Sequence, residues 1–387
     1  ELLERGCLDA LFFADVHGTY DTYGGNRDAA VRHAVQFPGI DPTVLISALA
    51  AATEHLGFGV TYSTTYFPPF QAAKLFSTLD HLTNGRIAWN VVNSYLPDAQ
   101  RQGLGLQLAH DERYDRADEY LDVCYKLWEQ SWDDGAIVLD AANDVHTDPS
   151  KVHEIDHHGR WFDVQGPHMV EPSPQRTPVI FQAGSSARGM QFASRHGEAV
   201  FVAAPQGPAG AELVTQLRET AAEAGRDPAS MKIIHATRLI VAETDEQAHA
   251  MKAEWDRNFS VEGFLALFGG WTGIDLGGHS ADTPIASIPA TAMRTWVERW
   301  QREDPDHEWT VGDLARRLAE GGAGTAFVGS ATTVADQLEE FADTTGLDGF
   351  NLITSPVPWG LEQVVDHLVP ELQRRGRLRT AYTPDET

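Results

Sequence analysis

Lysine and cysteine are both scarce in this chain of 387 residues, in which 29 lysines and arginines face 56 acidic residues. The formal net charge of −27 argues against nucleic acids and anionic membrane surfaces as partners, because both carry negative charge themselves. Two cysteines, Cys7 and Cys124, are too few for a disulfide framework or a cysteine-rich metal site. We therefore expect a reduced, cytoplasmic location.

Long hydrophobic runs are missing as well. No run approaches the ~18 apolar residues of a membrane helix, and no signal peptide is visible. The chain opens at Glu1 inside a helical pattern, so we expect a further segment upstream. The sequence has no P-loop, no G-x-S-x-G and no H-E-x-x-H motif. The run Asp156–His158 lacks the helical spacing and the distant third ligand of a metal site, so we predict no metal.

An alternation of buried strands with helices runs through the sequence and indicates an α/β fold. The predicted strands are residues 8–14, 57–65, 86–92, 178–182, 199–203, 232–241 and 349–353. One more strand, upstream of residue 1, would complete a TIM (β/α)8 barrel. A doubly wound open sheet is the alternative, weakened by the absence of G-x-G-x-x-G after a strand. We predict a single domain, 1–387, with insertions at about 136–171 and 245–324.

Two predicted helix starts carry residues that suit an anion. The stretch Thr177–Phe201 reads as strand, turn, helix and strand, with Ser185 and Ser186 where the helix begins. Backbone N–H groups and the helix dipole favour a phosphate there, although both serines could simply cap the helix. His110 and Tyr114 stand four residues apart at another start and share one face. They could bind a phosphate oxygen, or be a cap and a packed ring.

Polar residues also occur where the predicted strands end, and a TIM barrel gathers its active site at those ends. Asp15 follows the first strand and could be a catalyst or a loop cap. Ser63 and Thr64 end the second, where such residues are also ordinary strand formers. Asn90 and Ser94 stand at the end of the third. A buried amide such as that of Asn90 must find hydrogen-bond partners.

Beyond these patterns, the sequence resembles the bacterial luciferase-like flavin monooxygenases. The resemblance rests on EHLGFGVTYSTTYFPPF at 54–70, STLDHLTNGRIAWNVVNSYLP at 77–97, HDERYDRADEYLDVCYKLWE at 110–129 and the run 148–184. It covers nearly the whole chain and is weakest in 245–324. Within the family, the sequence is similar to the group that acts on nitrilotriacetate, dibenzothiophene sulfone and long-chain alkanes, and looks most similar to the long-chain alkane monooxygenases.

The resemblance implies a TIM barrel that forms a homodimer or homotetramer. It also implies reduced FMN (FMNH2), supplied by a separate NAD(P)H:flavin reductase, with O2 as co-substrate. One oxygen atom would pass, through a flavin C4a-peroxide, to a small apolar organic substrate, and the insertions would act as lids that exclude water. The residues matching the family's flavin contacts, the last four at the phosphate, are Asp15, Ser63, Thr64, Asn90, Ser94, His110, Tyr114, Ser185 and Ser186.

The resemblance also suggests Tyr20 and Tyr95 as catalytic residues of the pocket. Alkane-type relatives carry histidine at the positions of Tyr95, Phe264 and Leu267, so the pocket of this chain would be more apolar and poorer in proton donors. Two alternatives remain open. One is a deazaflavin (F420)-dependent oxidoreductase of the same superfamily, which transfers hydride and needs no O2. The other is a non-catalytic flavin-binding protein.

Overall fold

The protein alternates short strands with helices along its whole length. The computed structural model describes residues 1–94, 96–105, 108–184, 186–288, 304, 306–319 and 325–383. Its strands are β1 (Ala10–Phe13), β2 (Gly57–Ser63), β3 (Ile87–Val92), β4 (Ile137–Asp140), β5 (Val145–Thr147), β6 (His157–His158), β7 (Asp163–Val164), β8 (Val179–Gln182), β9 (Ala199–Val202), β10 (Lys232–Ala242), β11 (Thr325–Ser330) and β12 (Gly349–Thr354).

The helices lie mostly between these strands. They are α1 (Leu2–Arg5), α2 (Asp28–Arg32), α3 (Pro42–Ala51), α4 (Pro69–Thr83), α5 (Pro97–Arg101), α6 (His110–Gln130), α7 (Ala187–His196), α8 (Pro208–Glu223), α9 (Asp245–Asn258), α10 (Val261–Thr272), α11 (Val311–Ala319), α12 (Ala331–Thr345), α13 (Trp359–Gln363) and α14 (Val369–Arg374), the last two joined by a π-helical turn, Val364–Leu368.

Strand β10 holds the main sheet together. The order is β1-β2-β3-β8-β9-β10-β11, with β12 also paired to β10, and every pairing is parallel. β10 pairs with β9 through residues 232–235, with β12 through 234–239 and with β11 through 237–242. One edge cannot hold two partners at the same residues, so β12 lies on the edge opposite to β9 and β11.

The sheet curls until strands that are far apart in its order face each other. The ring of Phe12 on β1 lies 4.7 Å from that of Phe201 on β9, although β2, β3 and β8 separate the two strands. Phe181 on β8 completes the group, 5.4 Å from Phe201 and 6.3 Å from Phe12. Gly59 leaves room for it, since a Cβ there would lie 2.8 Å from the Phe181 ring. The three phenylalanines fill the inside of a barrel-like sheet.

The seven predicted strands are confirmed, with ends that differ by two residues or fewer. Strand β11 was not predicted, because its short run is flanked by glycines, which are typical of a loop. It adds an eighth strand to the sheet beyond the end of β9. Within the described part of the chain no pairing joins β1 to β12, so the curled sheet is open along these two edges. The strand expected upstream of residue 1 stays a prediction.

The outward faces of the strands carry the main hydrophobic core. Phe58 on β2 and Trp89 on β3 pack against Phe76 of α4 and Leu127 of α6, all of them fully buried. A second cluster packs β9, β10 and β12 against α8 and α12. Burying each such side chain contributes about 1.5–3 kcal/mol. The outer helices thus fix the barrel from outside while its strand ends remain accessible.

Helix α6 also anchors the segment that leaves the barrel after it. That segment contains two antiparallel pairs, β4–β5 and β6–β7, which do not join the main sheet. The carboxylate of Glu119 on α6 accepts N–H bonds from Arg160, Trp161 and Phe162 at 3.0, 2.9 and 2.8 Å. Burial raises the pKa of Glu119, but these bonds outweigh it and hold the pKa below its ordinary value. The ionised carboxylate therefore fastens β6–β7 to the barrel.

Replacing Glu119 by glutamine should destabilise the protein by about 2–3 kcal/mol at neutral pH, because an amide NH2 would face backbone donors. The difference from the wild type should shrink as the pH falls below the unfolded-state value of 4.5. The wild-type carboxylate then takes up a proton as well, at its lower native pKa, and loses the same stabilisation. Urea unfolding at neutral and at acid pH measures both effects.

Glu112→Gln is a matched control on the same helix. Glu112 pairs with the exposed side chain of Arg160 at 3.1 Å, and exposed ion pairs contribute less than about 1 kcal/mol. Equal losses in the two variants at neutral pH would show that Glu119 does not anchor the β6–β7 segment.

Candidate functional site

Two adjoining clefts open where the strands of the main sheet end. The first, about 240 Å³, is lined by residues that follow β1, β3 and β8, including Asp15, Asn93, Ser94 and Gly184, and by Tyr114 of α6. The second, about 880 Å³, lies between the end of β1 and the segment before α3. Both are lined by Asp15, Val16 and His17. The two clefts thus adjoin at these residues, beside the carboxyl ends of β1, β3 and β8.

The ends of β2 and β3 are tied together by their side chains. The hydroxyl of Ser94 bonds to that of Ser63 at 2.8 Å. The hydroxyl of Thr64 donates to the side-chain oxygen of Asn93 at 2.7 Å. Three of these four residues, Ser63, Thr64 and Ser94, were predicted as site residues, and the structure brings them together. Asn93 completes the cluster.

Two buried amides in this region have unused hydrogen-bonding atoms. Asn90 donates to Thr61 Oγ1 at 2.8 Å, and Thr61 in turn donates to the carbonyl of Phe13 at 2.8 Å. The carbonyl oxygen of Asn90 and the NH2 group of Asn93 are buried and have no protein partner within the described residues. Leaving such a group unsatisfied costs about 1–3 kcal/mol. A bound polar ligand would remove this cost.

The first turns of α6 reach across to the same strand ends. Arg116 donates to the carbonyl of Thr64, and its guanidinium lies 4.7 Å from the ring of Phe162. Arg113 contacts the carbonyls of Asn93 and Ser94 at 3.5 and 3.4 Å. Both arginines therefore fix the backbone of the site, and neither is predicted by a pattern in the sequence.

The start of α7 approaches the phenol of Tyr114 closely. Ser186 is the N-cap of α7 and accepts the N–H of Gly189 at 3.0 Å. A Cβ at Gly189 would lie 2.8 Å from the Tyr114 hydroxyl oxygen, so only glycine leaves room for it. The Tyr114 hydroxyl thus lies over the first turn of α7, where helix N–H groups point outward. The two helix starts that were predicted to bind an anion, those of α6 and α7, therefore lie next to each other and form one candidate anion-binding place.

His110 lies at the outer border of this place. Its ring is 5.3 Å from that of Tyr114, as their four-residue spacing predicted. Its Nδ1 pairs with Asp111 at 2.7 Å, and half of its side chain is exposed. His110 can therefore contact a ligand only from the solvent side.

Asp15 lies between the two clefts. Burial raises the pKa of its carboxyl, and the nearby charge of Asp41 adds to this, whereas His17 and the N–H of Val16 lower it. His17 Nε2 is 3.6 Å from the carboxylate. The carboxyl is therefore held in a place that disfavours its charge, which is typical of functional sites.

Tyr20 is buried beside the second cleft. Its hydroxyl donates to Gln36 Oε1 at 2.6 Å, and Gln36 lines that cleft. The Tyr20 ring packs directly on Gly270 of α10, where any Cβ would overlap it. The predicted residue therefore lies where the segment after β1 meets α10.

Two predicted site residues, Tyr95 and Ser185, lie outside the described residues. Among the residues that the structure describes, no group of three or more histidines, cysteines and acidic residues could hold a metal ion. His157, from the sequence cluster Asp156–His158, contacts Glu119 and Lys126 instead. None of the described helices is long and apolar enough to cross a membrane.

The sequence analysis did not single out His17 and Gln36, which line the clefts. Asn93 and Gln182 also line the first cleft; both stand at predicted strand ends, but no binding role was assigned to either of them. His17 and Gln36 belong to the loop after β1, whose path depends on tertiary contacts that leave no periodic signal.

A curled parallel α/β sheet with its cleft at the carboxyl ends of the strands defines an enzyme of the TIM-barrel type. The chain belongs to the luciferase-like monooxygenase family, whose model matches residues 1–348. The family resemblance inferred from the sequence is therefore confirmed, and the chain is an enzyme of the monooxygenase class.

Its relatives include the predicted group. Dimethyl-sulfide monooxygenase of Hyphomicrobium sulfonivorans is 47% identical over 99% of this chain and 80% of that protein. Long-chain alkane monooxygenase of Geobacillus thermodenitrificans is 46% identical over 99% and 83%. Nitrilotriacetate monooxygenase component A of Aminobacter aminovorans is 35% identical over 98% and 85%. The first two identities are nearly equal, so likeness alone does not select a substrate.

Solved structures confirm the fold. The crystal structure of DmoA from Hyphomicrobium sulfonivorans has a TM-score of 0.91 at 47% identity, covering 99% of this chain and 82% of that one. The structure of riboflavin lyase (RcaE) with modified FMN and riboflavin has a TM-score of 0.88 at 36% identity, covering 99% and 84%. A relative with this fold therefore holds a flavin.

Asp15→Asn should raise the melting temperature of the ligand-free protein by roughly 1–2 °C at neutral pH. The native wild type must bury a carboxylate charge that the unfolded chain exposes to water, and the amide removes this cost. The gain should disappear as the pH falls through the raised native pKa to below the unfolded value of 3.8, because Asp15 is then protonated in both states. Calorimetry at several pH values measures this.

Asp28→Asn, at the exposed start of α2, is the control and should not raise the melting temperature. A gain for Asp15→Asn that is the same at every pH would contradict the electrostatic cause.

Proposed function

We propose that the protein is an FMNH2-dependent monooxygenase that inserts one oxygen atom of O2 into a small, uncharged and largely apolar organic molecule. A separate NAD(P)H:flavin reductase supplies the reduced flavin in the cytoplasm, and the enzyme works as a homodimer or homotetramer. One observation carries this proposal: a polar rim adjoins the larger second cleft. The rim includes the start of α7, Tyr114, Asn90 and Asn93.

The polar rim fits a flavin phosphate and a polar ring edge. Ser186, Tyr114 and His110 would hold the phosphate, together with Ser185. The unused oxygen of Asn90 and the unused NH2 of Asn93 complement a ligand that both donates and accepts, as the flavin ring does. Asp15 and Ser94 line the same space, and Ser63 and Thr64 support it from behind through their bonds to Ser94 and Asn93. Bound reduced flavin would supply the electrons that activate O2.

The second cleft favours an uncharged substrate. Its lining combines apolar side chains such as Phe13, Phe37 and Ile40 with the carboxylates of Asp15 and Asp41. Among the described residues, Arg27 is the only arginine or lysine in this lining, and it is 3.5 Å from the buried Asp98. A polycarboxylate would meet acidic groups without an available cation, which disfavours the aminocarboxylate class.

The chain's own residues protect the reaction from water. Tyr20 is 3% exposed and packs between the loop after β1 and Gly270 of α10, beside the second cleft. The hydrogen bond to Gln36 fixes the direction of its hydroxyl. Through Gln36, which lines the cleft, Tyr20 would orient the substrate, and the loop after β1 would exclude water.

Ser186→Asp should reduce FMN affinity by at least ~100-fold, because a carboxylate would stand beside the phosphate. Aspartate is a good N-cap, so α7 should stay folded. Thr244→Asp, at the N-cap of α9, is the matched control and should leave the dissociation constant unchanged. Titration by flavin fluorescence measures it, and an unaltered affinity in Ser186→Asp would refute the phosphate site.

Oxygen transfer itself is tested with 18O2, chemically reduced FMN and a panel of thioethers, alkanes, aryl sulfones and aminocarboxylates. We expect one labelled oxygen atom in the product of an uncharged substrate. Turnover with reduced deazaflavin and without oxygen would support the hydride-transfer alternative. Flavin binding without any product across the panel would support a non-catalytic protein.

A further inference from the structure

Helices α6 and α7 are joined by a cluster of charges centred on Asp118. One carboxylate oxygen of Asp118 bonds to His196 Nε2 at 2.8 Å, and the other bonds to the guanidinium of Arg188. Arg195 lies 3.5 Å away. The side chain of Asp118 is only 17% exposed. Burial raises its pKa, but the bonds from His196 and Arg188 keep the pKa below its ordinary value, so the group is a carboxylate at neutral pH.

The cluster holds α7 at two points along its length. Arg188 lies in the first turn of α7 and also bonds to Asp115 at 2.9 Å. His196 is the last residue of α7, and its Nδ1 contacts the hydroxyl of Tyr125 at 3.1 Å. Attachment at both ends prevents α7 from sliding or rotating against α6. Asp118 accepts from both of these attachment points.

Arg188 does not serve the anion-binding place directly. It follows Ser186 by two residues, yet its guanidinium pairs with the carboxylates of Asp115 and Asp118. It also lies 5.5 Å from the ring centre of Tyr114. The charge of Arg188 is thus neutralised on α6, and the start of α7 presents its N–H groups, the Ser186 hydroxyl and the Tyr114 hydroxyl to an anion.

Asp118 stands one helical turn after Tyr114 on α6, as Arg188 stands within one turn of Ser186 on α7. The ion pair between them therefore sets the separation of the Tyr114 hydroxyl from the first turn of α7. A shift of α7 by even 1 Å would misalign these donors.

We infer that Asp118 is a positioning residue for the cofactor phosphate, acting through Arg188 and His196 rather than by touching the ligand. This inference rests on the proposed function. The inference predicts an effect that a general structural role does not. Loss of the Asp118–Arg188 ion pair should weaken the binding of a flavin that carries the phosphate, and it should leave the binding of a flavin without the phosphate unchanged.

The experiment compares FMN with riboflavin. Dissociation constants of both oxidised flavins are measured by fluorescence titration for the wild type and for Asp118→Asn, which keeps the shape and removes the charge. We expect the dissociation constant of FMN to rise about tenfold, the loss of one charge-assisted contact, and that of riboflavin to change less than about twofold. Arg188→Met should act in the same direction.

Asp122→Asn is the matched control. Asp122 lies one turn further along α6 and pairs with Arg195 at 3.5 Å, with about half of its side chain exposed. Neither flavin should lose affinity in this variant. Thermal melting of all three variants shows whether they are folded.

Two results would overturn the inference. If Asp118→Asn raises the dissociation constants of FMN and riboflavin by the same factor, the cluster only supports the fold. Tighter FMN binding would mean that the released Arg188 reaches the phosphate, so that Asp118 withholds a cation rather than aligning donors. If the wild type binds riboflavin as tightly as FMN, the phosphate site of the proposed function is refuted, whatever the role of Asp118.

Discussion

The three phenylalanines inside the curled sheet decide where a ligand can bind. Phe12, Phe181 and Phe201 close the middle of the barrel, so a ligand at the carboxyl ends of the strands binds at the rim, above the three rings. The next inward-facing residues above Gly59 are Thr61 and its neighbour across the strands, Asn90. A polar layer thus rests on an apolar floor. In such low-dielectric surroundings an unsatisfied amide is costly, and a hydrogen bond to a ligand is correspondingly strong.

Helix α6 connects this rim to the rest of the molecule. Its successive turns hold the strand ends through Arg113 and Arg116, the start of α7 through Asp118, and the β6–β7 segment through Glu119. Each contact joins a charged side chain to backbone groups or to an opposite charge. Such contacts are directional, unlike hydrophobic packing, and specify the relative positions of the elements they join. The rim is therefore rigid on the side where the phosphate would bind.

The sequence predicted the site residues best where they stand at the ends of periodic elements. Strand ends and helix starts can be located from apolar spacing, which placed Ser63, Thr64 and Ser94 at neighbouring strand ends. The pairing of Tyr114 with the start of α7 was implied by the family resemblance. Other features depend on tertiary structure. Strand β11 extends the sheet only because β10 is longer than β9, which no local pattern reveals. Gln36 acquires its role through the path of an irregular loop. The division of the chain into a barrel and two insertions stays a prediction.

The two clefts rest on parts of the molecule with different attachments. The first is framed by strand ends and by α6, which belong to the barrel core. The second is lined by the loop after β1. Helix α10 supports the same segment through His33, whose ring nitrogens lie 3.0 Å from Ser260 Oγ and 2.8 Å from Glu262. Residues that line only the second cleft, such as Phe37 and Ile40, lie on this loop, away from the strand ends that frame the first cleft.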